Sequence, residues 1–141
     1  MRMSGKQVAV IVAQFYNQTL DDLRSPVRNQ MYAVPRQVCM YMLRRHAKHL
    51  SYPAIGKLLD RDHTTVLYGD RKIANLRVTD PTMAEELHEL DLAIIEAKQA
   101  FDQSVVAEAS SIRSALIDTQ ALIAPLYARL ETLNGMIGEA V

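Results

Sequence analysis

The run Arg61-Asp62-His63-Thr64-Thr65-Val66-Leu67 gathers side chains suited to hydrogen bonding at a surface. Asp is favoured just before a helix, where its carboxylate accepts from a first-turn N–H. Asp62 fits that position, and an apolar stripe begins at Val66. His63, Thr64 and Thr65 then fall in the first turn, free to point outward. Ahead of them lies a shorter amphipathic segment, Pro53-Ala54-Ile55-Gly56-Lys57-Leu58-Leu59, closed by Asp60-Arg61. Two helices joined by a short turn, with polar groups at the second N-terminus, present a reading element to a duplex major groove. A capped helix in a small bundle has the same pattern, and periodicity alone leaves both open.

Other chemistry is less well supplied. Asp60, Asp62 and His63 resemble part of a nuclease or metal cluster, but no second carboxylate block accompanies them. His46 and His49 fall on the basic side of a helix. One cysteine, Cys39, sits among Val38, Met40 and Met42 as a small buried hydrophobe; it excludes an internal disulfide and offers no metal-ligand spacing. The expectation is no catalytic residue, no metal and no cofactor.

The elements that must position the run are helical. Apolar residues recur at helical spacing nearly throughout, and the chain reads as all-α: a small helix-turn-helix domain and a long acidic helical or coiled-coil tail. Residues 6–16 predict a first helix with Val8, Ile11, Val12 and Phe15 on one face, and 19–23 a short capped turn. Residues 24–34 predict a loop bearing Arg24, Arg28 and Asn29. Pro35 suits the first turn of a helix to about His49. That helix would bury Val38, Cys39, Met42 and Leu43 and expose Arg36, Arg44, Arg45 and Lys48. The second helix of the pair runs to about Arg77.

The net charge of zero conceals two halves. Residues 1–78 hold 13 Lys/Arg and 5 Asp/Glu, a net of +8; residues 79–141 hold 3 and 11, a net of −8. A basic half suits a polyanion, bound with strong salt dependence. No stretch reaches the length of a membrane span and Met1–Gly5 does not open a signal peptide, so a cytoplasmic, nucleoid-associated protein is expected.

Asp80-Pro81 is a helix start. From there Met83, Leu87, Leu90, Ile94, Ala97 and Phe101 form a heptad seam. It stutters through Val105 and Ala109 and resumes through Ile112, Leu116, Thr119, Ile123, Leu126, Leu130, Leu133 and Ile137. Pro125 should kink or break the helix, and Ser110-Ser111 is a weaker turn candidate. Such a seam needs a partner: its own hairpin, a second copy or the N-terminal domain. Self-association into a homo-oligomer through residues 80–137 is expected, with a possible protein partner for the acidic tail. The divisions are 1–78 and 79–141, and removal of residues 80–141 should leave a folded domain.

Several blocks together resemble one family. Pro35-Arg36-Gln37, Tyr52-Pro53-Ala54-Ile55-Gly56, Arg61-Asp62-His63-Thr64-Thr65-Val66-Leu67 and Arg71-Lys72-Ile73 resemble the C-terminal DNA-binding domain of the bacterial replication initiator DnaA, a Trp-repressor-like helix-turn-helix, over about residues 6–78. The resemblance implies a reader of a short asymmetric double-stranded DNA box, with a helix in the major groove and a basic loop in the minor groove. Asp62, His63, Thr64 and Thr65 would face base edges, Pro53 a thymine methyl, and Arg28 the minor groove. Arg36, Gln37, Arg44, Arg61 and Lys72 would hold phosphates, which set position and affinity rather than sequence.

There are departures from the family pattern. The turn Leu59-Asp60-Arg61-Asp62 is one residue shorter than the common Gly-Gly form, and Arg45–Ser51 is one longer. Asn29, Gln30 and Met31 stand where positive charge is frequent. No Gly-x-x-x-x-Gly-Lys-Ser/Thr loop occurs, and the chain begins with Met1. The expectation is a stand-alone, non-enzymatic box binder that regulates replication or transcription. The alternatives are a phage small-terminase-like assembly subunit and an adaptor whose acidic tail binds another protein.

Overall fold

Six helices, with no strand among the described residues, make up the computed structural model, which describes residues 3–140. Met1, Arg2 and Val141, at the outer ends of the two expected divisions, lie outside the described residues. The all-α class is as the apolar spacing requires. The helices are α1 (Gly5–Phe15), α2 (Leu20–Arg24), α3 (Gln30–His46), α4 (Tyr52–Leu59), α5 (His63–Thr79) and α6 (Pro81–Ala140).

Local signals place most of the helix ends. Ser4 and Gln7 form a capping box at α1, with Gln7 N donating to Ser4 Oγ at 3.2 Å and Ser4 N to Gln7 Oε1 at 2.8 Å. Thr19 and Asp22 do the same for α2. Asp80 Oδ1 accepts from Thr82 N at 3.0 Å and opens α6.

The start of α3 differs from the sequence reading. The helix begins at Gln30, capped by Asn29, so half of the expected loop is helical and Pro35 lies inside. A proline deprives the carbonyl four residues earlier of its partner. That carbonyl is Met31 O, and Gln18 Nε2 donates to it at 2.6 Å.

Between α4 and α5 the chain turns in three residues. Asp60 adopts φ 54°, ψ 50°, the left-handed conformation that ends many helices. Arg61 N donates to Gly56 O at 2.8 Å. A Cβ on Gly56 would stand 2.3 Å from Arg61 O, so the turn requires glycine there.

The chain divides into two units, Met1–Phe101 and Asp102–Val141. The first extends past the expected boundary at 78/79. One apolar cluster joins Val8 and Val12 of α1, Val38, Cys39, Met42 and Leu43 of α3, Ile55 and Leu59 of α4, and Val66 and Ile73 of α5. Leu87, Leu90 and Ile94 of α6 belong to the same cluster and are fully buried. Residues 81–101 therefore contribute buried side chains to the same core as the helices before them.

A polar lock reinforces this part of α6. Asp91, buried, accepts from Arg45 Nε at 3.0 Å and Arg77 Nη2 at 2.9 Å, and pairs with His46 Nε2 at 2.6 Å. Burial pushes the Asp91 carboxyl up, but the bonds from His46 and Arg77 and the charge of Arg45 outweigh it and hold the carboxyl below its ordinary value.

The second unit is the remainder of α6. Neither Ser110-Ser111 nor Pro125 interrupts the helix; of the kink or break expected at the proline, the break does not occur. Ile112, Leu116, Ile123, Leu126, Leu130, Leu133 and Ile137 are all exposed there. No helix among the described residues is long and apolar enough to cross a membrane.

Candidate nucleic-acid interface

Asp62 caps α5 with an extended backbone, and its Oδ2 accepts from Thr64 N at 3.1 Å and from Thr64 Oγ1. These hydrogen bonds, the hydroxyl first, hold its carboxyl below the ordinary carboxylate value. His63 Nδ1 lies 3.5 Å from the other oxygen, Oδ1. Asp62, His63, Thr64 and Thr65 are all exposed, while Val66 turns into the core. The first turn of α5 thus presents four polar side chains on an apolar anchor.

Helix α4 completes the surface. Pro53, in its first turn, is exposed. A hollow of about 380 Å³ between the two helices brings Pro53 together with Asp62, His63 and Lys57. Tyr52 ties α4 to α5 by donating to Asp70 Oδ2 at 2.8 Å, and Arg44 stacks on the Tyr52 ring at 4.4 Å. A second hollow of about 350 Å³ follows α5, lined by Thr64, Leu67, Tyr68, Arg71, Lys72 and Asn75.

The arginines divide into two groups. Arg28 is exposed between α2 and α3. Arg36 is only 7% exposed. Its Nε donates to Leu23 O at 2.8 Å, and its Nη2 to Ser25 O at 2.6 Å and Val27 O at 3.2 Å. Burial, and then the neighbouring Arg61 charge, push its pKa down. Arg61 Nη2 donates to the same Ser25 O, and Nη1 donates to Arg24 O at 3.3 Å and Asp60 O at 2.8 Å. Arg24 Nε donates across to Leu58 O at 2.7 Å. Arg24 and Arg61 therefore fasten the base of the Arg28 segment to the end of α4 and the turn after it, and Arg36 fastens the same segment to α3. Arg36, read from sequence as a phosphate ligand, spends its donors on backbone carbonyls instead, and Arg61 largely does the same.

Of the remaining expected phosphate residues, Gln37 is half-buried beside Gly69 of α5, where an added Cβ would come 3.5 Å from Gln37 Cγ. Arg44 is half-buried and donates to Leu50 O at 2.9 Å. Lys72 lines the second hollow. The sequence reading passed over Tyr68, Arg71 and Asn75. All three are exposed and continue from Thr64 in steps of four, three and four, a spacing that marks a single helix face.

Residues 6–73 match the family described as the bacterial DnaA protein helix-turn-helix. The match takes in just under half of the 141 residues. Similar proteins include the chromosomal replication initiator proteins DnaA of Ruegeria pomeroyi, 40% identical over 94 residues, and Caldanaerobacter subterraneus, 42% identical over 79. The DnaA of Roseobacter denitrificans is 41% identical over 96 residues. These matches take in 66%, 56% and 67% of this chain but only 20%, 18% and 21% of the relatives. The chain thus spans about a fifth of the length of the relatives it matches. It carries a DNA-binding helix-turn-helix of the DnaA type, in which α4 and α5 are the two helices of the motif. The matched family stretch ends at residue 73, before α6 begins.

Proposed function

We propose that this protein binds double-stranded DNA sequence-specifically at initiator-box-like sites and regulates replication or transcription by occupying them. The exposed run Asp62–Thr65, at the start of the second helix of a DnaA-type helix-turn-helix, carries the reading. In a major groove, Asp62 Oδ1 accepts from a cytosine amino group while Oδ2 remains committed to the cap. Thr64 or Thr65 packs its methyl on a thymine, His63 hydrogen-bonds a base or phosphate, and Pro53 touches a second thymine methyl. Arg28 enters the adjacent minor groove from a segment that Arg36 and Arg61 hold in place. Arg44 and Lys72 neutralise phosphates. The chemistry is binding rather than catalysis, and the setting is the cytoplasm at the nucleoid.

The occupant of the second unit's apolar face is a second copy of this chain. From Ile112 to Ile137 the seam steps by four and three without a break, and a coiled coil of identical helices pairs such a seam with itself. A helix running through Ser110-Ser111 and Pro125 supports pairing between chains over a hairpin. Light scattering is expected to give two to four chains per particle. A monomer contradicts the pairing, and eight or more chains would favour a packaging assembly of the small-terminase kind.

Thr65→Ala tests the reading. It is expected to weaken binding to the cognate box by about 1–3 kcal/mol and to leave binding to random duplex nearly unchanged. Equal losses on both would remove Thr65 from the sequence-reading residues.

A further inference from the structure

Away from the first turn of α5, a hollow of about 520 Å³ opens at the end of α3 against α6. Arg45, Lys48, His49 and Lys98 line it, with His46 and Met3. Lys48, His49 and Lys98 are exposed, and neither lysine is ion-paired among the described residues. Asp91 fixes Arg45 through Nε, and the Arg45 side chain remains 49% exposed. The wall is therefore cationic and held in position by the buried carboxylate beneath it.

This hollow adjoins a depression that reaches α4. A neighbouring depression of about 300 Å³ shares Arg45 and Lys48 with it and adds Arg44, Tyr52 and Asp70. Tyr52 adjoins Pro53 in the first turn of α4. A row of basic side chains thus leads from Arg44, beside the helix-turn-helix, through Arg45 and Lys48 to Lys98. Lys98 lies beyond the matched residues 6–73, so the family match supplies no role for it.

We propose that this row is a phosphate track for duplex DNA flanking the box, with Lys48 and Lys98 each neutralising a backbone phosphate outside the bases that α5 reads. The inference rests on the DNA-reading proposal and extends it along the duplex. Phosphates suit the track because it is basic and joins Arg44 through Arg45 and Lys48. The competing occupant is acidic protein, the net −8 stretch of a neighbouring copy.

The test uses the full chain and its K48A/K98A variant on two duplexes, a bare box and the same box with flanks of about a dozen base pairs on each side. Both substituted positions are exposed, and circular dichroism checks that the fold is kept. The variant is expected to bind the long duplex about tenfold more weakly, with or without the box sequence, and the bare box within twofold of wild type. The slope of log affinity against log salt should fall by about 2 on the long duplex, close to 0.9 for each phosphate released. K48R/K98R should restore both. Equal losses on short and long duplexes, or no loss on the long one, would overturn the track. So would a change in particle mass with DNA affinity intact, which would assign the hollow to acidic protein. Wild-type preference for box over scrambled sequence, measured on the short duplex, tests the box reading separately. If that preference fails while the length-dependent loss persists, the box reading is at fault and the track stands.

Discussion

Residues 81–101 and residues 102–138 carry apolar side chains at similar helical spacing and are buried very differently. In the first stretch Leu87, Leu90 and Ile94 are fully buried in the cluster that α1, α3, α4 and α5 also line. In the second, Leu116, Leu126 and Leu130 are 59%, 65% and 52% exposed. Spacing identifies which side of a helix is apolar; it does not identify what covers that side. The early stretch also carries Asp91, whose three basic neighbours belong to α3 and α5. The later stretch makes no ion pair among the described residues, and its apolar side chains are exposed.

Truncation separates the two stretches with the largest expected effect. A chain ending at residue 101 should keep a cooperative thermal transition and its DNA binding. A chain ending at residue 78 loses three fully buried side chains, each contributing about 1.5–3 kcal/mol. That loss approaches the whole stability of a domain of this size. Thermal melts followed by circular dichroism should therefore show no cooperative transition for the shorter chain. Equal transitions for the two chains would return the boundary to 78/79.

A smaller effect distinguishes the two kinds of arginine. Arg36→Ala leaves the Leu23, Ser25 and Val27 carbonyls without that donor and should cost about 2–4 kcal/mol in chemical denaturation. Arg28→Ala should change stability by less than about 0.5 kcal/mol and act on DNA affinity instead. If Arg36→Ala were as stable as wild type, Arg36 would return to the phosphate ligands.

The smallest effect is pH-dependent. Asp91 has its carboxyl held below the ordinary 3.8 in the folded chain. The stability it contributes is complete above the unfolded value and disappears as pH falls through the folded one. Asp91→Asn should therefore cost about 1–2 kcal/mol at neutral pH, with the difference from wild type closing below about pH 4. A constant difference down to pH 2 would mean that the carboxylate charge is not what locks α6.

The parts of this molecule legible in its sequence are those decided locally. Asp62 and Asp80 announced helix starts because the groups they cap lie two or three residues away. The exposure of His63, Thr64 and Thr65 followed from the same cap and from Val66 taking the buried side. What the sequence concealed depends on distant partners. Arg36 has the residue type and helix position of a surface cation, but the carbonyls that draw it inward belong to Leu23, Ser25 and Val27. Pro35 is a common first-turn residue, yet α3 starts five residues earlier at the Asn29 cap, and Gln18 supplies Met31 O with the donor that Pro35 lacks. Asp80-Pro81 starts a helix, as its residue types predict, but whether that helix packs on the preceding ones depends on partners far away in the chain. The core continues across that start.

The central claim is that the first turn of α5 reads a base sequence. Fluorescence anisotropy of the intact chain on a duplex bearing an initiator box, against the same duplex with the box scrambled, tests it most directly. A preference of about a hundredfold or more for the box is predicted, with both affinities falling steeply as salt rises. Equal affinity for the two duplexes would contradict the claim and leave α5 a capped helix on a non-specific cationic surface.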